Sequence, residues 1–423
     1  MTDAILTEVV TFFISSAQKD SFNGIAATSL LHVIGEPNKL RQHLTKLILE
    51  KKIACAFASI SVNPHIKRLP DLPPEEQIAL LDQNELNTIC VYPSAEEICK
   101  QTDITLWNNR PFSKHLALAE PQLSFRAFEM GVLERYTNDP RYVVHFNDYM
   151  GQMTVTDDFF QDEQFPGRDK IAIQTFGLGF DDSRAPYIVV FLRYLSNLTP
   201  EHQQYWNSYL VNSDVRMTRP YYEASFLGEF WKNRSIRHAI MEEMRIVNRM
   251  SDAIWGQKLF REPAGGDVPI GLTSFLRPTA DNFHRFIMAL DKLLSESINT
   301  KFFKNKILLE SEIIRSDGKV EVQRKGTLTL LEEWLLSEIT WSDEKEFREV
   351  IIDPLRQVRK LRQTPAHTFT KDNFSIDYYD RRKNILWSVF NSLSNIRVTF
   401  GKHPNAAEIE QPAWLDNESI EVF

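Results

Sequence analysis

Apolar positions recur at intervals of three and four from the start of the chain. Leu6, Val9, Val10, Phe13 and Ile14 predict an amphipathic first helix. A second short helix fits Ile25 to Val33 and ends near Gly35, a residue suited to a helix C-cap. A third runs from about Asn38 to Glu50, with Leu40, Leu44, Leu47 and Ile48 facing inward. The period then shortens: Ile53 to Phe57 and Ile60 to Val62 predict a hairpin that closes before Arg68. A linker or helix start covers residues 71–78. Beyond it, runs rich in β-branched and aromatic residues predict strands at Tyr142–Phe146, Lys170–Gln174 and Tyr187–Leu192. Helices follow, one capped by Thr199 with Pro200 at its first position, the other from about Ile236 to Trp255. No long crossover helices separate the strands, which predicts an antiparallel sheet.

Residues 280–403 change character. Phe283, Phe286, Ile287, Leu290, Leu293 and Leu294 form one stripe, and Leu328, Leu331, Leu335 and Leu336 a second. Phe347, Val350, Ile351, Leu355, Val358 and Leu361 form a third, and Ile385, Leu386, Val389, Phe390, Leu393 and Ile396 a fourth. Four amphipathic helices predict an antiparallel bundle, broken by one polar hairpin near Asp317-Gly318. After Pro404 the chain carries acids without Lys or Arg and is expected to be a mobile tail. The fold expected is therefore α+β and multidomain: residues 1–72, a mixed unit with a mainly antiparallel sheet over 73–275, a four-helix bundle over 280–403, and an acidic tail over 404–423.

The length of 423 residues agrees with two or three domains. No run of 18 apolar residues occurs, so no transmembrane helix is expected, and Met1-Thr2-Asp3 lacks the basic flank of a signal peptide. Three cysteines (Cys55, Cys90, Cys99) form no CxxC pair; this argues against a disulfide scaffold or a four-cysteine zinc site and favours a reducing cytoplasm. The formal charge of −8 excludes a surface coated with nucleic acid throughout, so a phosphate partner has to meet a local basic patch.

Several chemistries are missing. There is no GxxxxGK[ST] and no HExxH, and Gly177-Leu178-Gly179 lacks the third glycine of a dinucleotide fingerprint. His238 and Glu242 lie four apart on a helix, but two ligands do not make a metal site. Asp157-Asp158 and Asp181-Asp182 sit in turn-like sequence, where Asp bonds to nearby backbone. The segment that stands out is Leu355 to His367, in which Arg362 and His367 are separated by four residues. An arginine followed by a histidine with four to six residues between them also occurs in Arg110/His115, Arg277/His284 and Arg397/His403, so spacing alone selects nothing. Context does: Arg362 continues the stripe of Ile351 and Leu355, and Pro365 stops the helix so that His367 can fold back on its end.

Two resemblances follow from these residues. The three helices and hairpin of residues 1–72 resemble a winged helix-turn-helix, a family whose third helix enters the DNA major groove. Lys39, Arg41 and Lys46 on that helix would contact DNA. Residues 280–403, with Arg362 and His367, resemble a HEPN domain, the helical module of many bacterial toxins and antiphage nucleases. That likeness implies a metal-independent endoribonuclease without cofactors, usually a homodimer whose paired Arg/His sets form one cleft. Arg362 would stabilise the phosphate and His367 act as general acid/base, leaving a 2′,3′-cyclic phosphate. Arg356, Arg359, Lys360, Arg381, Arg382 and Lys383 would form the RNA track. Gln363 follows the arginine where many members carry Asn, Asp or His.

The function expected is an RNA-cutting protein of the cytoplasm in defence or toxicity, its other domains sensing a trigger. Two alternatives stand beside it. A DNA-binding regulator would use the bundle only to dimerise, with Arg362 neutralised by an acid from the partner helix. A binding subunit with an inactive HEPN fold would work beside a separate enzyme.

Overall fold

The computed structural model describes residues 1–147, 149–229, 234–261, 272, 276–314, 319–363, 372–416 and 420–422. Helices mix with antiparallel sheets, the α+β class, in two compact units, Met1–Tyr221 and Tyr222–Phe423.

The first unit opens with α1 (Thr2–Gln18), β1 (Ile25–Ala26), α2 (Leu31–Ile34) and α3 (Pro37–Leu49). Leu6, Val9, Val10 and Phe13 of α1 and Leu40, Leu44, Leu47 and Ile48 of α3 are buried, as their spacing predicts. Gly35 ends α2 at φ +75°, a conformation that costs glycine least. The expected local hairpin does not form. β2 (Ile53–Phe57) pairs instead with β3 (Ile89–Pro93), Cys55 opposite Val91, and residues 58–60 turn away. β1 pairs on the other side of β3, giving the order β1-β3-β2, all antiparallel. Helix α4 (Pro74–Gln83) lies in the long connection between β2 and β3. From it Gln77 covers the free edge of β2, its Oε1 accepting from the Cys55 amide at 2.9 Å. That satisfies a buried donor an edge strand would otherwise leave bare.

The larger sheet of this unit holds β4 (Phe125–Glu129), β5 (Tyr142–Asn147), β6 (Met150–Val155), β7 (Ala172–Phe180), β8 (Pro186–Phe191) and β9 (Arg216–Met217). The order is β4-β8-β7-β6-β5 with β9 added to β7, and every pairing is antiparallel. Gly177 of β7 faces the buried Tyr221 ring, which stacks on Phe191 at 5.6 Å. A Cβ at Gly177 would stand 2.1 Å from that ring. Gly177→Ala is therefore expected to cost the first unit about 1–3 kcal/mol by overpacking, read as a lower melting midpoint.

The second unit begins with β10 (Arg234–Ser235) and α5 (Ile236–Trp255), followed by α6 (Ala280–Leu294). The hairpin β11 (Glu310–Ile314) and β12 (Val320–Arg324) comes next, then α7 (Thr327–Glu338), α8 (Asp353–Gln363), α9 (Asp377–Gly401) and β13 (Ile420–Glu421). Helix α5 packs along α9, and α6 packs on α8. The expected boundary near residue 275 thus differs from the observed division: α5 joins the helical unit, and residues 1–72 share a unit with the sheet. The four stripes predicted for 280–403 line the core with one exception. A π-helical turn at Arg348–Ile352 widens the helix before α8 and leaves Val350 38% exposed.

The tail also differs from expectation. Ala406, Leu415 and Ile420 are buried, and β13 pairs in parallel with β10. Arg397, buried on α9, donates to Asp416 Oδ1 at 2.7 Å, to Glu243 Oε2 on α5 at 2.8 Å, and to Gln411. The acids of this segment are thus partly committed to the helices beneath them.

Candidate functional site

Helix α6 starts at Thr279, whose side chain accepts from the Asn282 amide, and its apolar face turns inward through Phe283, Phe286, Ile287 and Leu290. Periodicity then places Asp291 on that same face, where its side chain has no solvent exposure. A carboxylate there is costly unless it is neutralised. Two arginines from α8 do so. Arg359 Nε donates to Asp291 Oδ1 at 3.0 Å, and Arg362 Nη1 donates to Oδ2 at 2.6 Å. Ser295 Oγ donates to Oδ1 at 2.6 Å, and Glu296 Oε1 accepts from the same Arg362 nitrogen at 2.7 Å. Hydrogen bonds to Asp291 and then Glu296 raise the Arg362 pKa further, so its charge is permanent.

Arg362 is not sunk in the apolar seam, as its stripe position implies, but lies at the rim with its side chain 35% exposed. Arg359 is exposed to the same extent. Each keeps guanidinium N–H groups that meet no described residue: Nη1 and Nη2 of Arg359, Nε and Nη2 of Arg362. A buried anion therefore fixes two cations one helical turn apart and leaves their other N–H groups without a partner among the described residues. Such an arrangement can hold a phosphate oxygen without reorganising. His367, the expected acid/base, lies outside the described residues.

The other expected RNA contacts divide. Arg356 pairs with Glu332, which also accepts from Arg348 Nε at 2.7 Å. Lys360 is exposed. The Arg381 guanidinium lies 4.5 Å from the centre of the Phe283 ring. Arg382, also expected on the track, is 3% exposed and lies over Phe286, which removes it from a surface path. Asp291 and Glu296 were not anticipated as site residues. The signal available was an acid among Leu290, Leu293 and Leu294, where the stripe calls for an apolar side chain.

Of the other Arg/His pairs, Arg110 is held by Asp20 at 2.8 Å and His115 by Glu120 at 2.9 Å. Arg397 is sealed in its own acidic pair. His238 bonds to Ser235 at 3.2 Å, while Glu242 pairs with Arg245 and Arg249, so the two do not meet as metal ligands. Among the described residues no three His, Cys, Asp or Glu side chains converge as metal ligands would. Asp181 closes a local turn, accepting from Ser183 and the Ala185 amide.

In the first unit Lys39 bonds to Glu36 at 2.8 Å and Lys46 lies 3.9 Å from Glu50, both on the exposed side of α3. Arg41 turns away and donates to the Asn84 carbonyl at 2.7 Å. Asn38 and Gln42 share the exposed face with the two lysines. This unit also carries a buried chain of polar groups. Trp206 Nε1 donates to the Tyr136 hydroxyl at 3.1 Å. The hydroxyl lies 2.7 Å from His202 Nδ1, and His202 Nε2 lies 3.2 Å from Asp169. Trp can only donate, so the tyrosine O–H points at Nδ1 and the proton of His202 sits on Nε2. Burial lowers the His202 pKa, in agreement with that neutral tautomer. Tyr136 and His202 have no exposure, so the chain ties the core together and meets no substrate.

Comparison with known protein families, curated proteins and solved structures finds no match for this chain.

Proposed function

We propose that this protein is an endoribonuclease of HEPN type, with the second unit as the cutting module. The observation that supports the reading best is the Asp291 anchor: it presents Arg362, with Arg359 beside it, at the rim of a helical unit, with outer donors that bond to no described residue. In this reading His367 takes the proton of a ribose 2′-OH, and the 2′-oxygen attacks the adjacent phosphorus. Arg362 stabilises the charge that builds on the phosphoryl oxygens. The bond to the 5′-oxygen breaks, and that oxygen leaves with a proton. The products are a 2′,3′-cyclic phosphate and a 5′-hydroxyl end, and the step balances without a metal ion or cofactor. The role in bacterial defence or toxicity, the cytoplasmic setting and a homodimer that joins two such sites belong to the same proposal. Purified protein in EDTA should cut RNA to cyclic-phosphate ends, and His367→Ala should lower the rate by about 10²–10⁴. Equal cleavage by both proteins would sink it.

A second reading rests on a different observation. The strand order β1-β3-β2 beside α1–α3, with Asn38, Lys39, Gln42 and Lys46 on the outer face of α3, supports a winged-helix reading in which α3 would enter a major groove. If duplex binding is the main activity, Lys46→Ala weakens it in a salt-dependent way and Arg362→Ala leaves it unchanged.

A further inference from the structure

A polar cavity of about 310 Å³ opens in the first unit between three segments that the ribonuclease reading leaves unused. One wall is the turn after α1, where Asp20 and Phe22 take positive φ and Phe22 is buried beneath it. A second is the stretch of Asn63 and His65, and the third is Arg193 and Asn197, just past β8. Gln122 ties the walls together. Its Nε2 donates to the Phe22 carbonyl at 3.0 Å, its amide donates to the Lys67 carbonyl at 2.7 Å, and its carbonyl accepts from the Arg193 amide at 2.9 Å. The cavity is therefore formed before any ligand arrives.

What faces it is an excess of donors. The Arg193 guanidinium is exposed and bonds to no described residue, and the Asn197 amide is likewise unengaged. His65 Nδ1 lies 3.2 Å from the Gly24 carbonyl, so that nitrogen carries a proton, and Nε2 is left over. The acid of the lining, Asp20, is neutralised by Arg110 at 2.8 Å. The net result is one uncompensated cation with neutral amide donors in a polar hollow. Its volume sits at the low end of small-molecule sites, which run to about 300–1,000 Å³. Phe22, the lining's aromatic residue, is buried under the turn, so no ring is offered for a base to stack on.

We infer that this cavity binds the phosphate group of a small polar molecule, with Arg193 as its charge partner and the Asn197 amide as a flanking hydrogen-bond donor. The phosphate is either free or esterified to a sugar-sized polyol. A ligand here spans the turn that follows α1 and the segment that follows β8, and so joins the three-helix segment to the large sheet within the unit.

Calorimetric titration of the full chain tests this with three probes: inorganic phosphate, ribose 5-phosphate and ribose. Saturable binding of ribose 5-phosphate tighter than phosphate, with no heat from ribose, identifies the ester as the source. Equal binding of the two phosphates identifies the free ion. In either case Arg193→Gln should raise the Kd at least about tenfold, the loss of one charge-assisted contact. Arg193 is exposed and bonds to no described residue, so the melting midpoint of this variant should not move. Absence of binding by both phosphates, or the same Kd in Arg193→Gln, overturns the inference. Neither outcome depends on RNA cleavage.

Discussion

Arg397→Met is expected to destabilise the second unit by about 3–5 kcal/mol, the cost of leaving one member of a buried ion pair without its partner. Glu243 has no solvent exposure, and burial already raises its pKa to about 6 with the Arg397 guanidinium in place. Removing the guanidinium forces Glu243 to take up a proton or remain an uncompensated charge among Ile240, Met244 and Val247. The same change frees Asp416 and Gln411, so the tail loses its polar anchor. Urea unfolding followed on the second unit measures the effect, and Arg397→Met combined with Glu243→Leu should recover much of the loss. The pH dependence has a definite sign. The folded pKa of Glu243 lies above its ordinary 4.5, so the folded state binds the extra proton. Stability from this group is complete below about pH 4.5 and is lost as pH rises through about 6, roughly 2 kcal/mol for 1.5 pKa units. Glu243→Gln should flatten that segment of the profile. An unchanged slope would show that Glu243 does not titrate there.

Arg362→Ala should slow RNA cleavage by about 10²–10³, the usual effect of removing one preorganised donor from a developing oxyanion. The effect on stability should be small, about 1 kcal/mol, since Asp291 keeps its bonds from Arg359 and Ser295 and the lost side chain is 35% exposed. Arg362→Lys keeps the charge but not the planar fork, so it should recover only part of the rate. Single-turnover cleavage in EDTA beside a thermal melt separates the two quantities. A full rate in Arg362→Ala would return this arginine to the role of a neutralising partner for Asp291 and nothing more.

The elements legible in the sequence were those whose signal is local. The stripes of α1, α3, α6, α7 and α9 fall on buried faces because helix periodicity is set within about ten residues. Pairing of β2 was misplaced because its partner lies beyond an inserted helix, whereas Ile60 and Val62 stand next to it in sequence and are exposed in space. Strands β4 and β6 were missed: Phe125–Glu129 and Met150–Val155 carry Arg, Glu, Gln and Gly, and become strands through their neighbours in the sheet. Helix α5 was recognised as a helix but assigned to the wrong core, since an apolar face does not say which partner will cover it. The same limit applies to the site. Arg362 could be singled out by its position near a proline, but the carboxylate that holds it lies 71 positions earlier.

Strand β13 gives the second unit a particular order of completion. Its two residues lie beside β10 at the root of α5, and Asp416 closes over the guanidinium that Glu243 needs. Synthesis runs from the N-terminal side, so Glu243 is made 173 residues before Asp416, whose carboxylate completes the cluster around Arg397.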